Sequence, residues 1–182
     1  MTTRAYLLTG RPGVGKTTCL RKVLELAQVP AGGFFTEEIR ERDKRVGFAL
    51  LTLDGHRTTL AHADRTGSPR VGKYGVNLAA VDGVAVPAIH AAIRARQLVV
   101  IDEIGKMEMC SPAFRQAVEE ALRSPVLVLG TILAAPNPWA DSIKAHPAAR
   151  LIEVNLANRD ALPYELARLL TAARSCGSTG LQ

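Results

Sequence analysis

The apolar positions of this chain change their period repeatedly, and the changes mark out alternating strands and helices. Ala5-Tyr6-Leu7-Leu8 is a short unbroken apolar run, as expected of a strand buried on both faces. Leu20, Val23, Leu24 and Ala27 then recur at helical spacing, predicting a helix over 17–28 that lays one face on a sheet. Pro30 to Gly33 breaks it. Three strand-like runs follow at 34–39, 46–53 and 57–60, separated by Asp43-Lys44 and by Asp54-Gly55, a strong hairpin signal. They interrupt the strand–helix rhythm and predict an antiparallel meander appended to one edge of the core. Residues 61–70, with Gly67, Ser68 and Pro69, read as an irregular loop, and 71–78 as a segment with two glycines and a tyrosine.

Beyond it, an alanine-rich helix is expected from about Val84 to Arg96, and Leu98-Val99-Val100-Ile101 is a buried parallel strand. Ser111-Pro112 supplies an N-cap and first residue for a helix whose apolar face is Phe114, Ala117, Val118, Ala121 and Leu122. Ser124-Pro125 stops it, and 126–132 forms another buried strand. A short helix over 137–145 and a strand over 151–154 precede a last helix, with Leu162, Leu166, Leu169 and Leu170 on one face and Asp160 as its cap. The alternation predicts a three-layer α/β architecture in a single domain over 1–174, with 175–182 expected as a disordered polar tail.

Composition narrows the function classes. The formal charge of +6 suits polyanionic partners, but the basic residues are scattered and aromatics make up only 4% of the chain. Both facts argue against dedicated nucleic-acid binding. Cys19, Cys110 and Cys176 have no metal-ligand spacing, and the four histidines form no HExxH-like pair. The longest apolar stretch, 126–135, is too short to cross a bilayer, and the chain enters its first strand too early for a signal peptide. The expectation is a cytoplasmic protein without a membrane partner.

Candidate chemistry concentrates after the first strand, in Gly10-Arg11-Pro12-Gly13-Val14-Gly15-Lys16-Thr17. The spacing G-x-x-x-x-G-K-T is a P-loop: glycines let consecutive N–H groups point at phosphate oxygens, Lys16 reaches the β/γ-phosphates, and the Thr17 hydroxyl is placed for Mg²⁺. The helix behind it adds the positive end of its dipole. Asp102, ending the strand 98–101, has the Walker B position for holding Mg²⁺ through water. Glu103 next to it can orient, or take a proton from, the water attacking the γ-phosphorus. Lys106 either neutralises nucleotide charge, pairs with Glu108, or is a plain surface lysine. Thr131, at the tip of strand 126–130, either senses the γ-phosphate or holds the lytic water, or is an ordinary strand end.

These residues resemble the small "cancer-related" or thermophile-type nucleoside-triphosphatases over nearly the whole chain. The likeness rests on Gly10–Thr18, on Gly33-Phe34-Phe35-Thr36-Glu37-Glu38-Ile39-Arg40, and on Val71-Gly72-Lys73-Tyr74-Gly75-Val76-Asn77. It is most distinctive in Val100-Ile101-Asp102-Glu103-Ile104-Gly105-Lys106-Met107-Glu108, and it ends in Asn158-Arg159-Asp160. The resemblance implies a RecA-like P-loop core of the additional-strand type, in which strand 126–130 lies between the P-loop and Walker B strands. It also implies Mg²⁺ dependence and hydrolysis of ATP, GTP and other nucleoside triphosphates, with a nucleotide site at Gly10–Thr18 and around Val99, Val100, Ile101, Asp102, Glu103, Ile104, Gly105 and Lys106. Glu38 faces either nucleotide or solvent; Tyr74 either positions a base or ribose or simply packs. Arg159 is either an arginine finger or the partner of Asp160. A monomeric hydrolase is the leading expectation, with a nucleotide or small-molecule kinase and a partner-driven switch as alternatives. The absence of an N-K-x-D motif argues against guanine selectivity.

Overall fold

The computed structural model describes residues 3–67 and 69–177. Its centre is built from the runs that lack a polar face. Strands β1 (Ala5–Thr9), β7 (Leu98–Ile104) and β8 (Val128–Ile132) lie parallel, with β8 between the other two. Every residue of β8 is buried. Around them stand β2 (Ala31–Glu41), β3 (Lys44–Thr52), β4 (Arg57–His62), β5 (Arg70–Val71), β6 (Tyr74–Val76) and β9 (Ala149–Glu153). The nine strands form one sheet in the order β5-β6-β4-β3-β2-β7-β8-β1-β9. This is the mainly parallel α/β sheet with an antiparallel meander that the sequence predicts, including the inserted position of β8.

Strand β2 is longer than its apolar run suggests. Residues Ala31–Phe34 pair parallel with Leu98–Ile101 of β7, while Phe34–Glu41 pair antiparallel with β3. The meander is therefore continuous with the core rather than hung beside it.

Helices α1 (Lys16–Ala27), α2 (Leu78–Ala80), α3 (Val86–Arg94), α4 (Pro112–Arg123), α5 (Pro138–Lys144) and α6 (Leu162–Gly177) cover the two faces. One face packs Leu7, Phe34, Leu50, Ile89, Ile101 and Phe114, with the Phe34 and Phe114 rings edge-on at 6.1 Å. The other packs Leu8, Leu20, Val23, Leu129, Leu166 and Leu170. The helix expected from Val84 begins earlier, after Asn77 caps Ala80, and passes through a π turn at Val81–Ala85. Pro87 has no N–H and its ring crowds the carbonyl four residues back, which the wider turn relieves. Ser111 caps α4 as expected, accepting from the Phe114 N–H at 3.0 Å, and its own hydroxyl donates to Asp82 in the π turn.

Two details of the last helix differ from expectation. Leu169 is 38% exposed, because the helix turns Leu162, Leu166, Ala167 and Leu170 onto α1 and the core, and 169 falls outside that face. Asp160 does not cap α6; its side chain is exposed and lies 3.9 Å from Arg159. The backbone of 175–177 is helical, and 178–182, the rest of the expected tail, lie outside the described residues.

Candidate active site

The first βα turn carries the phosphate loop. Gly10 sits at φ 142°, and a Cβ there would stand 2.5 Å from the Val154 carbonyl oxygen, so only glycine closes this turn. Gly15 begins α1 in the left-handed region at φ 107°. Lys16 Nζ donates to the Gly10 and Arg11 carbonyls at 3.1 and 3.4 Å, which holds the ammonium over the loop.

Facing it, the end of β7 is irregular. Ile101 pairs with Gly130 and Ile104 with Ile132, so two residues of β7 stand opposite one of β8. Such a bulge re-aims side chains at a strand end, and the two residues are Asp102 and Glu103. Asp102 is 1% exposed. The Thr131 hydroxyl donates to its Oδ1, while Oδ2 is buried without a hydrogen-bond partner. Burial pushes the Asp102 carboxyl above its usual range. The Thr131 bond, the nearby Thr17 hydroxyl and the Lys16 charge pull it back, although no hydrogen bond from Thr17 closes on Oδ2. Glu103 is also raised, first by burial and then by the charge of Asp102, with Lys16 opposing.

A cavity of about 690 Å³ joins these parts. The loop contributes Gly10, Pro12, Gly13, Gly15, Lys16, Thr17 and Thr18; β7 and its following turn contribute Glu103, Gly105 and Lys106. Lys106 makes no ion pair with Glu108 or any other described residue. Several expected site residues lie elsewhere. Val99, Val100, Ile101 and Ile104 are fully buried in the sheet, because a central strand spends both its faces on core; they deliver Asp102 to the site without lining it. Arg11 and Val14 are also off the cavity wall: Arg11 is exposed, and Val14 packs on the core. Thr131 is likewise wholly buried, its hydroxyl committed to Asp102 rather than open to the cavity. Tyr74 packs edge-on against Phe48 at 5.3 Å, with its hydroxyl accepting from Arg45 Nε at 3.1 Å. Glu38 does line the cavity, held by Arg40 and Arg45 at 2.7 and 2.8 Å. Arg159 lies beside the loop, its Cδ 3.9 Å from where a Gly15 Cβ would be.

Sequence reasoning missed one carboxyl. Glu108 is buried on the cavity wall, and burial pushes it up to about 8, helped by the charges of Glu103 and Asp102. Gly105 separates it from Glu103: a Cβ at that glycine would stand 2.8 Å from Glu108 Oε2 and 3.1 Å from Glu103 Cγ. A second groove, of about 460 Å³, lies between α1 and α6 and is lined by Leu26, Tyr164 and Arg168 among others. Among the described residues it is lined by no phosphate loop and no carboxylate.

With this geometry in place, the similarity to known proteins is specific. A family model described as "NTPase" matches residues 5–167. The chain is 45% identical over 164 residues to the nucleoside-triphosphatase THEP1 of Thermotoga petrophila, covering 90% of this chain and 91% of that one. The chain belongs to the THEP1 family of nucleoside-triphosphatases. Family members reach beyond thermophiles: the mouse cancer-related nucleoside-triphosphatase homolog is 35% identical, covering 94% of this chain and 99% of its own. The THEP1 crystal structure from Aquifex aeolicus superposes with a TM-score of 0.84 at 37% identity, covering 91% of this chain and 98% of that one. The solution structure of a human cancer-related nucleoside triphosphatase gives 0.73 at 34%, covering the whole of both chains. The mixed α/β fold of this chain is thus that of the THEP1 structure.

Proposed function

We propose that this THEP1-family chain is a Mg²⁺-dependent hydrolase of ATP, GTP and other nucleoside triphosphates, with Glu103 preparing the attacking water. The observation that carries the proposal is the pair formed by Asp102 and Glu103 opposite Lys16. One carboxylate is buried with an unpartnered oxygen, and the other opens onto the same cavity as the phosphate loop. An orphaned buried carboxylate oxygen is costly unless something completes it. Beside the Thr17 hydroxyl it suits a hard cation that takes oxygen ligands and fills its remaining positions with phosphate and water. No cluster of three or more His, Cys, Asp or Glu exists among the described residues to hold such an ion alone, which fits that sharing. When bound, Mg²⁺ neutralises charge on the phosphate oxygens.

The chain's own groups then divide the work. Loop N–H groups and Lys16 hold the β- and γ-phosphates and stabilise charge that develops as the bridging bond breaks. Thr131 orients Asp102. Glu103, its affinity for protons raised by burial, accepts the proton of the water as oxygen bonds to phosphorus. Arg159 lies beside the loop at Gly15 and is assigned to the nucleoside side of the site. No base-reading motif accompanies it, which supports broad base tolerance. Among the described residues no helix is long and apolar enough to cross a membrane; a cytoplasmic monomer is part of the proposal.

The test is phosphate release with Mg²⁺ and each common nucleoside triphosphate, in wild type and Glu103→Gln. Loss of about 10²-fold or more in turnover with nucleotide binding retained is expected. A variant that hydrolyses at the wild-type rate removes Glu103 from the chemistry.

A further inference from the structure

The cavity extends well past the phosphates. Its wall continues from the loop at β1 to Leu60 on β4, five strand positions across the sheet, or roughly 24 Å at ~4.8 Å per strand. The direction of the nucleotide on the loop decides what that extension is for. Lys16 and Glu103 mark the γ-phosphate end, on the β7 side. Arg159 beside Gly15 and the Val154 carbonyl against Gly10 put the 154–159 loop on the other flank, next to β9, where the nucleoside leaves. An in-line nucleophile must approach the γ-phosphorus from the side away from the bridging oxygen. That side faces the meander.

The meander wall is more elaborate than water requires. It presents Thr36, Glu38, Arg45 and Phe48, backed by the buried Leu60 and flanked by Met107 from the turn after β7. Phe48 is fixed edge-on against Tyr74, and the Arg45 guanidinium lies 5.2 Å from its ring centre. Arg45 is itself tied to the Tyr74 hydroxyl and to Glu38, and Arg40 holds the other Glu38 oxygen. The result is a half-buried apolar platform beside a carboxylate whose position is set and whose remaining lone pairs can accept donors. Apolar walls with a few fixed polar groups are how proteins bind small organic molecules.

We propose that this wall is a subsite for a second small molecule, a ring-bearing alcohol of nucleoside size, whose hydroxyl accepts the γ-phosphoryl group in place of water. The inference rests on the reading that the triphosphate lies on the P-loop with its γ-phosphate toward Glu103. The ring lies on Phe48 and Met107, with the buried Leu60 behind them, and Glu38 accepts N–H or O–H donors from the ring or its substituents. The alcohol oxygen bonds to phosphorus as the bond to the β-phosphate oxygen breaks. The hydroxyl proton passes to Glu103 and then to solvent. The products are a phosphate monoester, a nucleoside diphosphate and a proton.

The test supplies γ-labelled ATP and Mg²⁺ with each of the four ribonucleosides, pyridoxine and riboflavin, and measures labelled monoester and free phosphate together. Binding of the same compounds is measured with a non-hydrolysable ATP analogue in place. A monoester from at least one compound is expected, with the monoester-to-phosphate ratio falling at least tenfold in Phe48→Ala and in Glu38→Gln. Should Phe48→Ala fail to fold, Met107→Glu blocks the same surface from a turn. Free phosphate with no monoester, whether or not a compound binds, overturns the acceptor subsite and leaves hydrolysis standing. An unchanged ratio in the folded variants overturns the assignment to this wall. Monoester without free phosphate overturns hydrolysis alone.

Discussion

Removing the Thr131 hydroxyl isolates the contribution of the hidden support under Asp102. Thr131→Val keeps the branched shape at a position with no exposure, so packing changes little, but Oδ1 loses its donor while Oδ2 already has none. A hydrogen bond to a charged group contributes about 1.5–3 kcal/mol. If that loss falls on the ionised carboxylate, it corresponds to roughly 10- to 100-fold in cation affinity, at about 1.4 kcal/mol per factor of ten. The same range, about 10- to 100-fold, is typical when a metal-ligating group loses its supporting partner. The assay is phosphate release at saturating ATP as a function of Mg²⁺ concentration. Half-saturation should move upward by that factor, while turnover at saturating Mg²⁺ stays near wild type. Thermal unfolding of the same samples checks the fold. A folded variant with half-saturation within about twofold of wild type would refute the claim that Thr131 supports a cation-binding Asp102.

Two further outcomes follow from the turn after β7. Gly105→Ala places a methyl 2.8 Å from the buried Glu108 Oε2 and 3.1 Å from Glu103 Cγ, so the Glu108 carboxyl must shift and Glu103 must give by a few tenths of an ångström. Steady-state kinetics should show kcat reduced about 10- to 100-fold with KM little changed, as small misplacements of a reacting group allow; a wild-type kcat would mean Glu103 needs no such placement. Glu108, raised to about 8 in the fold, keeps its proton where the unfolded chain has already lost it. Its contribution is therefore fully present below about pH 4.5 and declines toward pH 8, with a slope of up to about 1.4 kcal/mol per pH unit. Denaturant unfolding across that window should fall less steeply in Glu108→Gln; parallel curves for the two proteins would contradict the raised carboxyl.

What was legible in the sequence was whatever is local. The P-loop is a fixed spacing between a strand and a helix, and Asp102-Glu103 follows an unbroken apolar run, so both could be placed without knowing any neighbour. Thr131 shows where that legibility stops. The family likeness put its strand beside Asp102, but which way its hydroxyl points depends on the bulge opposite, and no pattern in one strand encodes a bulge in another. Tyr74 in its glycine-flanked segment left contact with a base and simple packing equally open, and the pairing of Ala61 with Val76 turns the ring onto Phe48. Glu108 entered the sequence reading only as a candidate partner for Lys106. A carboxylate between Met107 and Met109 becomes a buried acid only once the turn folds against the cavity, and that is a tertiary fact.

The double membership of β2 has a mechanical consequence. Its first residues are stitched to β7, the strand that carries Asp102, and its last residues carry Glu38 and Arg40 in the meander. Between these two ends there is no separate linker: β2 runs on for eleven residues, with Gly33 at φ 117° and a register shift after Ile39. Displacement of Glu38 loads the pairing at Phe34 and so the strand that carries Asp102. The amides of Thr36 to Ile39, though near an open surface, should therefore exchange with deuterium about as slowly as those of the sheet centre, through shared unfolding rather than local fraying.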